Sequence, residues 1–131
     1  MPNLATDFIH LGRGATAEIE PPYYGEAWFE EYAQRREADG AEGRLVLQYS
    51  FSGNWPSWEV HPHGAEVIVC TAGAATIVQE FPDGRVERVA LRPGDYAINP
   101  PGVWHTADSD ADVETTCIFI TAGAGTAHRP R

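Results

Sequence analysis

From Arg44 to Thr121 the chain is cut into short strand-forming runs by glycine and proline turns, and this rhythm leaves few folds open. Leu45, Leu47, Tyr49 and Phe51 alternate with Val46, Gln48 and Ser50, the period of a half-buried strand. Further strand-like runs are Ser57–His61, Glu66–Thr71, Ala75–Phe81, Arg85–Leu91, Tyr96–Asn99 and Val113–Thr121. Pro82-Asp83-Gly84 suits a tight hairpin, and Arg92-Pro93-Gly94-Asp95 suits a turn with proline second and glycine third. Pro100-Pro101-Gly102 breaks the chain again before Trp104 and His105. Many short strands at steady spacing predict an all-β antiparallel sandwich or barrel.

One helix is expected, over Gly25–Asp39, where Trp28, Phe29 and Tyr32 form an apolar stripe, Glu31 can pair with Arg35, and Gly40 follows as a stop. Its expected place is outside the sheet. With 131 residues and no repeat or linker, the chain reads as one domain. Residues 1–43 are an N-terminal strand and helix extension, 44–121 the barrel core, and 122–131 a tail. That tail is basic on an acidic protein. A loose terminus is the default expectation for it, and folding over the barrel or a partner subunit is the alternative.

Charge narrows the partners. The net charge is −10 and all nine basic residues are arginine. Such a surface repels phosphate backbones and anionic lipids, so neither nucleic acid nor membrane is expected as a partner. The absence of lysine excludes Schiff-base chemistry. No apolar run approaches the roughly 20 residues of a membrane span. Met1–Asp7 lacks the basic-then-apolar order of a secretory signal, which points to the cytoplasm. Cys70 and Cys117 each sit in an apolar run and read as reduced core residues. There is no GxSxG elbow, phosphate loop or CxxC pair.

The chemistry concentrates in Trp58-Glu59-Val60-His61-Pro62-His63-Gly64-Ala65-Glu66. In an extended strand Glu59, His61 and His63 share a face, and Glu66 opens the next apolar run after a short break. Imidazoles and carboxylates brought together by a hairpin are the donors a manganese, iron, nickel or zinc ion takes.

These residues carry a resemblance. Glu66 followed by six residues and Gly73 resembles the end of the first cupin motif. Gly94-Asp95-Tyr96-Ala97-Ile98-Asn99-Pro100-Pro101-Gly102-Val103-Trp104-His105 looks like the second, with Ser109 where the family usually ends on asparagine. The resemblance covers roughly Gly43 to Thr121 and implies a cupin-type jelly-roll barrel of the small single-domain bacterial kind, with a metal site inside. By the family's spacing His61, Glu66 and His105 fill ligand positions, while Glu59 stands where the first motif histidine is usual. Glu59 is the expected fourth ligand and His63 the alternative. Two histidines and two carboxylates would neutralise a divalent ion and favour harder metals such as Mn²⁺ or Fe²⁺.

Around that site Cys70 shares a face with Glu66, and Tyr49, Phe51, Tyr96 and Phe119 are candidate pocket walls. Trp55, Trp58 and Trp104 flank the motif. Two readings of function follow. One is a metal-dependent enzyme on a small organic molecule, an oxidoreductase of dioxygenase type, an isomerase or a decarboxylase, with His63, Tyr49 and Tyr96 as candidate acids or bases. The other is a non-catalytic small-ligand binding or sensing module, whose polar pocket needs no metal. Small cupins are commonly dimers, so a homodimer is expected, with Pro2–Glu20 contributing to the contact.

Overall fold

A computed structural model describes residues 1–131. The chain runs β1 (Ile9–Gly12), β2 (Thr16–Ile19), α1 (Ala27–Arg35), β3 (Arg44–Phe51), β4 (Ser57–Val60), β5 (Glu66–Ala72), β6 (Ala75–Glu80), β7 (Val86–Leu91), β8 (Tyr96–Asn99), β9 (Trp104–Asp108), β10 (Thr115–Thr121) and β11 (Ala127–Pro130). Two antiparallel sheets form the barrel. One has the order β2-β1-β3-β10-β5-β8 and the other β11-β4-β9-β6-β7. This is the antiparallel barrel expected from the strand rhythm, in the jelly-roll form that the resemblance implied.

Alternation decides what lies between the sheets. Ile68, Cys70, Ile77, Leu91, Ala97, Ala107, Cys117 and Phe119 form the buried core, with Leu47, Phe51, Trp55 and Val89 packed against it. The two cysteines sit opposite each other on β5 and β10, buried and unbridged. Burial, and then the neighbouring Cys70, push the Cys117 thiol up to about 12, so it stays protonated and inert.

The turn that links β5 to β6 needs glycine. Gly73 has φ +75°, and a Cβ there would lie 2.5 Å from the Glu114 carbonyl oxygen and 2.8 Å from Thr115 Cα. Both the left-handed backbone and the close approach of the chain at the start of β10 exclude a side chain.

The helix is shorter than Gly25–Asp39, because the backbone leaves the helical region at Arg36 and tightens into 3₁₀ turns over Glu37–Glu42. Asp39 is drawn away to His10, whose Nε2 lies 2.6 Å from its carboxylate, while His10 Nδ1 meets the Tyr32 hydroxyl at 2.6 Å. Trp28 is fully buried against Phe8 and Leu45 in a second, smaller cluster beside the main core. Phe29 stays exposed, and Arg35 pairs with Glu20 rather than with Glu31. No helix is long and apolar enough to cross a membrane.

The outer face of the six-stranded sheet is also apolar. Register aligns Val46, Ile120, Val67 and Ile98 in one row and Ile118, Val69 and Tyr96 in the next. Ile9 extends the first row from β1.

The tail is not loose. β11 pairs with β4 from Ala127↔Val60 to Pro130↔Ser57 and closes an edge of the five-stranded sheet. The side chains hold it there. Arg129 bonds Glu80 and stacks over Trp104 and Trp58, and Arg131 pairs with Asp108 at 2.7 Å.

Candidate metal centre

Cross-strand register assembles the site in one line. His128 lies opposite Glu59, Glu59 opposite His105, and His105 opposite Gln79. Residues directly opposite across paired strands face the same side, so all four project from one face of the five-stranded sheet. Glu66 comes from β5 of the facing sheet, and His61 from the bend after β4.

Donor atoms of Glu59, His61, Glu66 and His105 all lie within 4.8 Å of one another, and three of the four residues are buried. His61 Nε2 is 3.0 Å from Glu59 Oε1 and 3.1 Å from Glu66 Oε2. His105 Nε2 is 3.1 Å from Glu66 Oε1 and 3.4 Å from Glu59 Oε1. These distances allow charge attraction, yet His105 Nε2 is aligned with neither oxygen and has no hydrogen-bond partner. A buried ring nitrogen aimed between two carboxylates without a directed bond is what a ligand to a cation looks like.

The surrounding bonds orient the donors. Glu66 accepts from the Thr121 hydroxyl at 2.6 Å and from Asn99 Nδ2 at 3.0 Å. Gln79 Nε2 donates to Asn99 Oδ1 at 2.8 Å, which leaves the Asn99 amide nitrogen facing Glu66. Neither Asn99 nor Gln79 was expected from the sequence. Their signal lies in the pairing of Asn99 with Glu66 and of Gln79 with His105, which needs the register.

Electrostatics follow from the geometry. Burial disfavours charge on His61 and His105, but the adjoining Glu59 and Glu66 outweigh it and raise both imidazoles to about 9. Burial works against the charge of Glu66 as well, and His105 and His61 overcome it, bringing the carboxyl down to about 2. Glu59 is lowered by the same two rings against the same opposing burial. Without metal the cluster is two imidazoliums facing two carboxylates. With neutral imidazoles its charge would be that of the two carboxylates, which a divalent ion offsets. The donor set therefore fits such an ion, through Glu59, His61, Glu66 and His105.

The structure leaves His63 on the surface and Glu59 in the cluster. The candidate walls divide. Phe51 and Phe119 pack around Trp55, at 5.6 and 5.9 Å between ring centroids, and Trp55 stands 6.4 Å from the His105 ring. Tyr96 is not a wall. It is 62% exposed on the outer face, while its neighbours Ala97 and Asn99 point inward. Tyr49 shares the inner parity but is 54% exposed, because β1 pairs only with the start of β3 and leaves that end at the sheet margin. Cys70 belongs to the apolar core and gives its thiol to the Ala72 carbonyl at 3.5 Å, so it does not line the site. Trp58 and Trp104 lie under Arg129.

Comparison with known proteins agrees with this architecture. A family model described as cupin domain matches residues 51–121. The fold is similar to Bacillus subtilis oxalate decarboxylase, a protein with Mn(II) centres, at 15% identity and TM-score 0.59 over 75% of this chain and 26% of that one. It is similar to an oxalate oxidase at 14% identity and TM-score 0.54, over 65% of this chain and 44% of that one. A cupin-2 domain protein of Shewanella frigidimarina aligns at 22% identity and TM-score 0.48, over 67% of this chain and 71% of that one. The chain thus spans less than half the length of either oxalate enzyme. No curated protein sequence matches it.

Proposed function

The chain belongs to the cupin-domain family, and we propose that its barrel binds one divalent transition-metal ion through Glu59, His61, Glu66 and His105. The observation that carries this reading is the cluster itself, two imidazoles and two carboxylates whose donor atoms lie within 4.8 Å of one another, with His105 Nε2 between the carboxylates and aligned with neither. Mn²⁺ or Fe²⁺ suits a donor set with two carboxylates better than a softer ion does, with Ni²⁺ and Zn²⁺ as the competitors. The single domain of 131 residues and a cytoplasmic location are part of the same proposal.

The activity proposed is that of a metal-dependent enzyme on a small organic molecule with oxygen donors, an oxidoreductase of dioxygenase type, an isomerase or a decarboxylase. When bound, the ion supplies Lewis acidity and open coordination positions for such a molecule. The protein's own part is to hold donors and exclude water. Asn99 and Thr121 fix the carboxylate of Glu66, and Trp55, Phe51 and Phe119 keep the His105 side of the site apolar. That dry wall strengthens every charge interaction within the cluster.

We also propose that the protein is a homodimer, joined through the outer rows of the six-stranded sheet. Ile98 at 51% and Tyr96 at 62% exposure are large apolar groups on a face that a single chain leaves uncovered. From Pro2–Glu20, Ile9 extends this face.

Elemental analysis of protein purified without added metal or chelator tests the site, with about one ion per chain expected and its loss in His105→Ala. Oxygen uptake and product analysis on the Mn²⁺- and Fe²⁺-loaded protein, with a panel of small oxo- and hydroxy-acids, then test turnover. Stoichiometric metal with ligand binding but no turnover would leave the sensing module in place of the enzyme.

A further inference from the structure

Two side chains reach the cluster from β11 and the residue before it, which lie outside the matched residues 51–121. Thr126, just before that strand, gives its hydroxyl hydrogen to the Gly123 carbonyl at 2.8 Å. Its oxygen is therefore left to accept, and the partner is His61 Nδ1 at 2.8 Å. His61 then carries a hydrogen on Nδ1, and Nε2 is the nitrogen turned toward Glu59 and Glu66. A histidine bound to metal takes this arrangement, in which a hydrogen bond at one nitrogen fixes which atom ligates.

His128 acts on the other side. Its Nε2 donates to Glu59 Oε2 at 2.7 Å, while Glu59 Oε1 faces the imidazoles of His61 and His105. The carboxylate is split, with one oxygen inward and one outward. A glutamate has more side-chain torsions than the histidine usual at this motif position, so it needs an outside bond to hold one oxygen on the site. His128 supplies it from the opposite position across the strand pair.

We propose that β11 is a working part of the metal site, in which Thr126 fixes the tautomer of His61 and His128 fixes Glu59 as a one-oxygen donor. Both are positioning residues, and the inference rests on the metal reading above. The strand does not depend on either bond for its place, since Arg129 is anchored on Glu80, Trp104 and Trp58, and Arg131 on Asp108. Removing the Thr126 hydroxyl or the His128 ring should therefore alter the ligands while the strand stays docked.

The test is a Mn²⁺ titration of metal-stripped protein by calorimetry, with the electron paramagnetic resonance spectrum of the bound ion and the metal-free melting curve recorded for each variant. Thr126→Val and His128→Ala are each expected to weaken Mn²⁺ by about 10–100-fold, the usual effect of losing a bond that orients a ligand. Thr126→Ser restores the affinity, and His128→Gln, which keeps an N–H donor, recovers part of it. The Mn²⁺ spectrum of His128→Ala differs from wild type, whereas that of Thr126→Ser does not. Wild-type affinity and spectrum in both deletion variants would overturn the proposal and leave the metal site standing. Loss in Thr126→Val without recovery in Thr126→Ser would assign the effect to packing and overturn the tautomer role. A wild-type protein that takes up no Mn²⁺, Fe²⁺, Ni²⁺ or Zn²⁺ would overturn the metal reading and this inference together.

Discussion

Asn99 donates its side-chain amide to Glu66 from the paired position on the neighbouring strand, at 3.0 Å from Nδ2 to Oε1. Both residues are buried, and Gln79 fixes the amide's orientation by donating to Asn99 Oδ1. Replacing Asn99 by leucine removes a donor from a buried carboxylate and leaves Gln79 short of an acceptor. The expected cost is about 1–3 kcal/mol of stability, with metal affinity lowered by about 10–100-fold. Urea denaturation and a metal titration on the same preparation measure both.

Metal uptake should release protons. His61 and His105 are held protonated up to about pH 9 by Glu59 and Glu66, against the opposing effect of burial. An ion must displace a proton from each ring, so binding near pH 7 releases about two protons per ion, and affinity rises with pH until the rings are neutral. Calorimetry in buffers of different ionisation enthalpy counts the protons. No release would remove both rings from the ligand set.

The stability of the metal-free protein should run the other way. The imidazoles have folded values near 9 against 6.5 unperturbed, so their contribution is complete below pH 6.5 and lost as pH rises through about 9. Glu66 has a folded value near 2 against 4.5, so its contribution is present above pH 4.5 and lost as pH falls toward 2. Maximum stability of the metal-free cluster is expected between about pH 4.5 and 6.5. Melting curves of chelator-treated protein across pH 3–10 check the window, and added metal should flatten its alkaline side.

Much of this was legible beforehand, for reasons that individual residues make plain. Tyr96–Asn99 forms a strand over its expected bounds, because a run between two turns has no other way to satisfy its backbone. Glu59 and His61 reach one cluster as expected, although β4 ends at Val60 and His61 enters from the bend after it. The errors came where three-dimensional register decides. Tyr96 looked like a wall because aromatics fill cores, but it is Ala97 that points inward, opposite Ile68 on β5. The strand at Ala127–Pro130 was missed because its sequence is polar and ends on proline, which only an unpaired strand edge tolerates. With it went the roles of Thr126 and His128.

His63 and Glu59 separate cleanly by mutation. His63 is exposed beyond β4, whereas Glu59 Oε1 is within 3.4 Å of both imidazoles. His63→Ala is expected to leave metal content and affinity unchanged, and Glu59→Gln to lower affinity by about 10-fold or more. Metal loss in His63→Ala with retention in Glu59→Gln would transfer the fourth position to His63.

The outer sheet face gives a test of assembly. A wild-type dimer is expected by light scattering at micromolar concentration. Ile98→Asp, which puts a charge at the β8 end of the first apolar row, should yield monomers that still take up metal. A monomeric wild type would refute the dimer.

Three of the four donors lie within residues 59–66 and the fourth is His105, yet they join only when the barrel is closed. Glu59 and His105 belong to one sheet, Glu66 to the other, and His61 to the bend between them. An ion held there is a clasp across both layers, and no partly folded chain with the sheets separated could grip it fully. Such a clasp leaves the speed of folding largely untouched and acts on the reverse step, because the sheets cannot part until the grip is broken. The durability of the loaded protein would then be a matter of how slowly it opens, set by the rate at which the ion escapes.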